Sequence, residues 1–144
     1  MKTKLIITVT AAAMLVVSSS FFGVKHSEKP VTKNINVEIY KTASYVAPVY
    51  ADTYATLRVS IVKINGKKID TAWQHEFAPM QLKDFPASDK PLVQTITIPN
   101  VNDKKEKVEV LYELNYNTKG SELNFSDGKI LGKGKQSDKL NIQI

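Results

Sequence analysis

From Tyr54 to Phe77 the chain reads YATLRVSIVKINGKKIDTAWQHEF, with Ala55, Leu57, Val59 and Ile61 apolar and Thr56, Arg58 and Ser60 polar between them. Alternation of this kind marks a strand with one face buried. Beyond Asn65-Gly66, a second arm sets Ile69, Trp73 and Phe77 at odd positions, so the segment predicts a central hairpin. A type I′ turn at Asn65-Gly66 would pair Ile64 with Lys67 and mix the faces, because a slip of one residue turns every side chain over. One further loop residue, with Gly66 left-handed in a G1 bulge, pairs Lys63 with Lys67, Ile61 with Ile69, Val59 with Thr71 and Leu57 with Trp73. That register is the expectation.

The same alternation recurs at Ile35, Val37 and Ile39, at Leu92, Ile96 and Ile98, at Val108, Val110, Tyr112, Leu114 and Tyr116, and at Leu140, Ile142 and Ile144. Leu123 and Phe125 predict a shorter strand, between turns at Asn117–Gly120 and Ser126–Gly128. Pro48 has no N–H for a ladder and belongs to an edge, a bulge or a crossover. Around it Tyr45, Tyr50 and Tyr54 are either ordinary strand residues or a stacking platform for a sugar or a partner. Pro79, Pro86 and Pro91 limit Ala78–Pro91 to a loop with a short edge piece at Met80–Lys83. Pro99-Asn100 ends the preceding strand, and VNDKKEK is a charged turn.

The pattern therefore predicts one all-β domain over residues 35–144, an antiparallel β-sandwich of about seven strands, loosely immunoglobulin- or fibronectin-like, with a small β-barrel as the alternative. Its expected core is the apolar face of each strand, including Ile69, Trp73, Leu92, Tyr112 and Leu123. Against a strict immunoglobulin topology, the tight turn at Gly66 keeps both its strands in one sheet.

The first residues change the picture. Lys2 and Lys4 precede an uncharged run from Leu5 to Val17, 13 residues long, followed by Ser18, Ser19 and Ser20. A helix needs about 20 residues to span a bilayer, so residues 1–20 predict a cleaved signal peptide, with an uncleaved anchor as the alternative. Residues 21–34 then form a flexible tether, and the domain is exported to a periplasmic, extracellular or cell-surface location. The chain has no cysteine, so neither disulfides nor a thiolate metal site contribute, and the core alone holds the fold. Losing Lys2 and Lys4 lowers the formal net charge from +6 to +4. Arg58 is the only arginine, and arginine dominates bidentate recognition of bases and phosphates, which argues against a nucleic-acid reader. Weak attraction to an anionic envelope surface is compatible with the lysines.

No local motif carries catalysis. His26 lies in the tether, and His75, beside Glu76, has no zinc-ligand spacing and shares an expected buried face with Trp73 and Phe77. Ser60 lacks G-x-S-x-G surroundings. The tail GKILGKGKQSDK from Gly128 does not satisfy G-x-x-x-x-G-K-[ST] and reads as a flexible basic loop able to meet an anionic partner. Glu109 and Glu113 are about 13 Å apart along a strand, too far for a glycosidase pair. Asn124-Phe125-Ser126 matches a glycosylation acceptor. No cofactor is indicated. The expectation is an exported, non-enzymatic module binding a protein, a glycan or an envelope surface through loops; the alternative is an enzyme whose site is assembled from distant residues. Met80, Leu82, Lys83 and Phe85 of the proline-rich loop are the candidate partner-binding residues, and the competing reading has the apolar ones closing one end of the sandwich.

Overall fold

The computed structural model describes residues 29–144. The expected leader, His26 and most of the tether lie outside those residues. Eight strands follow in order: β1 (Val31–Tyr40), β2 (Thr53–Asn65), β3 (Lys68–Glu76), β4 (Met80–Gln81), β5 (Leu92–Val101), β6 (Lys107–Thr118), β7 (Ser121–Ile130) and β8 (Ser137–Gln143). Single turns of 3-10 helix at Pro48–Tyr50 and Leu82–Asp84 interrupt the connections, and no described residue is α-helical. β5-β1-β8 form one sheet and β3-β2-β6-β7 the other, with β4 beside the start of β2. The molecule is an open sandwich of two sheets rather than a barrel.

Inward side chains come from alternate positions, as the pattern requires. Ile35, Val37 and Ile39 of β1 face Leu57, Val59 and Ile61 of β2 and Val108, Val110 and Leu114 of β6 in one core, which Ile142 and Ile144 complete. The first strand begins at Val31, so part of the expected tether is ladder: Lys33 pairs with Ile98 and Asn34 with Thr97. Pro48 sits in the crossover that carries the chain from the first sheet to the second.

Several expectations need correction. The sandwich is not wholly antiparallel, because β8 runs parallel to β1, Ile35 opposite Asp138 through Tyr40 opposite Gln143. Alternation reports which face a residue takes but not which way its strand runs. In the hairpin, Asn65 pairs with Lys68, leaving Gly66-Lys67 as the turn. Gly66 has φ +60°, and Lys67 has no positive φ, the type II′ pattern that admits glycine first. A bulge then inserts Ala72, so Val62 faces Thr71 but Ile61 faces Trp73. The extra residue switches parity along β3. Ile69 consequently lies on the outer face with Ile64 and is 64 % exposed, while Trp73 and Phe77 pack against the core.

Leu92 and Leu123 are also exposed, and Tyr112 is half-buried. The expected turn at Ser126–Gly128 is absent. β7 runs straight through it, with Ser126 opposite Glu113 and Gly128 opposite Leu111, so only the later part of the expected basic loop lies between strands. Gly128 lets Leu111 lie close across the pair: a Cβ there would stand 2.7 Å from Leu111 Cδ2 and would displace that side chain.

The proline-rich loop closes one end of the sandwich. Leu82 is 4 % and Phe85 6 % exposed, both within the core, and Met80 packs against it. The Lys41 N–H donates to Pro86 C=O at 2.9 Å, and its ammonium donates to Lys83 C=O, fastening the loop to the end of β1.

Candidate functional site

The two sheets differ in width. Four strands, β3-β2-β6-β7, lie against three, β5-β1-β8, so among the described residues one edge strand of the wider sheet has no strand over its inner face. Neither edge strand has a buried residue, but Trp73 of β3 packs against the core whereas no residue of β7 does, so the strand is β7. Its pairing with β6 sets Leu123 opposite Tyr116, Phe125 opposite Leu114 and Asp127 opposite Tyr112. Leu114 is fully inward, so Leu123, Phe125 and Asp127 share the inner face. Leu123 is nevertheless 67 % and Phe125 49 % exposed. An apolar strip that faces the core direction while open to water is an uncovered surface, not ordinary scatter of apolar residues.

At its N-terminal end the strip meets a cleft of about 400 Å³, lined by Tyr45, Val49 and Tyr50 from the crossover and Tyr116, Glu122 and Leu123 from β6 and β7. Tyr45 stands edge to face on Tyr50, ring centres 5.2 Å apart, and its φ of 52° turns the chain to bring the two rings together. Burial, followed by the nearby oxygens of Tyr45 and Tyr112, pushes the Tyr116 phenol above its usual range. The Tyr112 phenol is raised by burial and then by Asp127, whose carboxylate it approaches at 3.4 Å. Both phenols stay protonated, and that of Tyr112 donates to Asp127. Tyr45 and Tyr50 of the suspected tyrosine platform belong to this cleft; Tyr54 does not, and hydrogen-bonds with the Gln81 side chain.

Of the residues expected to bind a partner, Leu82 and Phe85 are turned into the core and Met80 is half-buried, leaving Lys83 exposed. Their side chains hold the fold together, and the free chain does not present them as apolar anchors. His75 shares the inner face with Trp73 and Phe77, as the alternation indicates, with the Phe77 ring centre 4.6 Å away, but it is exposed because β3 is an edge strand. In the basic tail Lys129 pairs with Asp138 and Lys139 with Glu38, so two of its cations are already neutralised. Asn124 stands exposed on the outer face of β7.

On that outer face, Arg58 lies between two carboxylates from neighbouring strands, 2.7 Å from Glu76 and 3.4 Å from Glu113. Sequence inspection pairs Glu113 with Glu109, since it cannot see that β2 brings Glu76 and Glu113 to one guanidinium. The hydrogen bond and charge of Glu76 raise the Arg58 pKa. The three are direct cross-strand neighbours and exposed, an arrangement that supports a sheet modestly. Asn115 Oδ1, in the outer-face groove lined by Arg58, Glu76 and Glu113, is buried with no hydrogen-bond partner among the described residues. Among the described residues no three His, Asp or Glu side chains gather as a metal site, and no helix is long and apolar enough to cross a membrane. The strip of β7 left little trace in the sequence, because Leu123 and Phe125 have the alternation of core residues and only sheet width exposes them. No family model, curated protein or solved structure matches this chain.

Proposed function

We propose that this is an exported, non-enzymatic binding module that holds another protein on the uncovered inner face of β7 and the tyrosine cleft beside it. The observation that carries the reading is the exposure of Leu123 and Phe125 on a face whose other members form the core. Leaving two such side chains in water costs the burial free energy of each, about 1.5–3 kcal/mol for a large apolar side chain. A partner that covers them recovers that energy. The phenols of Tyr45, Tyr50 and Tyr116 give the same surface polar groups that fix orientation, the combination of apolar body and hydroxyl common at interfaces. Export rests on the leader, Lys2 and Lys4 before the run Leu5–Val17.

The test compares two immobilised proteins, the parent and a variant carrying Leu123→Glu and Phe125→Glu, exposed to envelope extract. Both are expected to unfold at the same temperature, because neither side chain is buried, and only the parent is expected to retain a polypeptide. Equal retention by both, or none by either, overturns the reading. The intact mass of the secreted protein checks export: a mass that includes residues 1–20 means an anchor.

A further inference from the structure

The vacancy over β7 has the width of one strand. β8 is the edge of the narrower sheet on that side: Lys129 Nζ, reaching up from β7, lies 3.1 Å from Asp138 Oδ1 and 2.7 Å from the Lys139 carbonyl. Asn34 N–H donates to Gln136 C=O in the parallel ladder, so the even-numbered residues of β8 turn their backbone groups toward β1. The odd-numbered ones turn theirs to the free side. Lys139 is closed off, its C=O by Lys129 and its N–H by the Asp138 carboxylate at 2.8 Å. Asn141 and Gln143 point their N–H and C=O groups into the vacancy.

These groups and the apolar strip lie at the same end of the molecule. β8 runs parallel to β1, whose end at Tyr40 leads through the crossover to Thr53, and Thr53 pairs with Thr118 beside the start of β7. The last residues of β8 therefore stand over the first half of β7, where Leu123 and Phe125 are.

We infer that this slot receives one extended segment of another polypeptide, which adds to β8 as the fourth strand of the narrower sheet, with apolar side chains at alternate positions over Leu123 and Phe125 and a lysine or arginine over Asp127. The inference rests on the strip being the binding surface. One further strand, spaced about 4.8 Å from β8, would bring the narrower sheet to the four strands of the one beneath it. Main-chain bonding to Asn141 and Gln143 would supply affinity, and the strip would select the side chains, as in strand addition generally. The basic residue follows from charge. Among the described residues Asp127 is partnered by the Tyr112 hydroxyl and the Gly128 N–H and by no cation, while the neighbouring Lys129 is committed to Asp138 and Lys139. A second copy of this chain does not fit: joining β8 to β8 would make a sheet of six strands over two wider sheets that together need eight, and the two β7 strands would collide.

The test extends the full chain beyond Ile144, whose own N–H and C=O are bonded to Tyr40 and Thr42, by a flexible glycine-serine loop and five residues: valine, threonine, isoleucine, threonine and lysine. Such a tail returns antiparallel along β8 with valine and isoleucine over Leu123 and Phe125 and lysine near Asp127, two residues short of the level where Lys129 meets Asp138. A second tail has the same composition with the apolar residues grouped together. Hydrogen exchange at Asn141 and Gln143 is expected to slow by about tenfold or more with the alternating tail and not with the grouped one. The complemented chain is also expected to lose retention of the polypeptide captured by the parent. Equal protection by both tails overturns strand addition. If Phe125→Glu still abolishes capture in that case, the strip remains the binding surface but not through a strand; if the alternating tail protects the edge and capture persists, the strip is not where the partner binds. Replacing the tail lysine by glutamate should weaken protection, and unchanged protection removes the basic requirement.

Discussion

Lys33 is 2 % exposed, an ammonium held at the end of the sandwich opposite the proline-rich loop. It reaches Asp103 at 2.8 Å and the carbonyls of Lys135 and Gly132 at 2.8 and 3.4 Å, tying the β5–β6 turn and the loop before β8 to β1. A buried charge with partners becomes costly to break from one side. Lys33→Met leaves Asp103 and two carbonyls without their donor, and is expected to lower stability by about 3–5 kcal/mol in urea unfolding. Burial acts to raise the Asp103 pKa, but the Lys33 hydrogen bond, the Gly134 N–H and the charges of Lys33 and Lys133 outweigh it and hold the carboxyl below its usual range. Asp138 is lowered in the same way against its own burial, through Lys129 and the Lys139 N–H. Both carboxyls are depressed relative to the unfolded chain, so the stability they contribute is present above the ordinary carboxylate range and is lost as pH falls from about 4 toward their folded values. Melting temperatures should therefore drop on acidification below about pH 4, and less steeply in Asp103→Asn. A parent whose melting temperature is flat over that interval would contradict the assignment.

At the scale of elements, the hairpin shows how one inserted residue redistributes a strand. Ala72 sends Ile69 to water and Trp73 to the core. Gly66→Val forces a β-branched residue to φ +60° and should cost more than about 1 kcal/mol, although nothing lies within 4 Å to clash with it. Coincident denaturant midpoints for the two proteins would refute the turn. Phe85→Ala and Leu123→Thr separate a lid from an exposed strip. The first removes a buried ring and should cost about 3–5 kcal/mol. The second removes a side chain already in water and should change stability by no more than about 0.5 kcal/mol.

For the molecule as a whole, β1 is the central strand of the narrower sheet, held between β5 and β8. Its bond with β8 joins the two ends of the domain. Truncation after Gln136 removes Leu140, Ile142 and Ile144 from the core and leaves β1 unpaired on one side. The shortened chain is expected to show no cooperative thermal transition by circular dichroism, since a β1 edge and an open core are exposed together. A sharp transition would mean that β8 is dispensable. Because pairings such as Ile39 with Ile142 span most of the domain, refolding of the intact chain should fall in the millisecond-to-second range typical of such topologies.

The alternation at Ile35–Ile39, Leu57–Ile61, Val108–Leu114 and Leu140–Ile144 determined by itself that this is an all-β domain and which side of each strand is apolar, because a strand's side chains repeat every second residue whatever surrounds it. The same parity sets Lys33 on the inward face of Ile35 and Val37, but its partner Asp103 is distant in sequence and pattern cannot name it. Direction, register and sheet width were decided only in three dimensions. They turned β8 parallel to β1, let a bulge at Ala72 reverse the faces of β3, buried Leu82 and Phe85 as a lid, and left Leu123 and Phe125 uncovered. An apolar residue at an inward position is buried only if another layer reaches over it, and the number of strands in the opposite sheet is a property of the assembled fold rather than of any one segment.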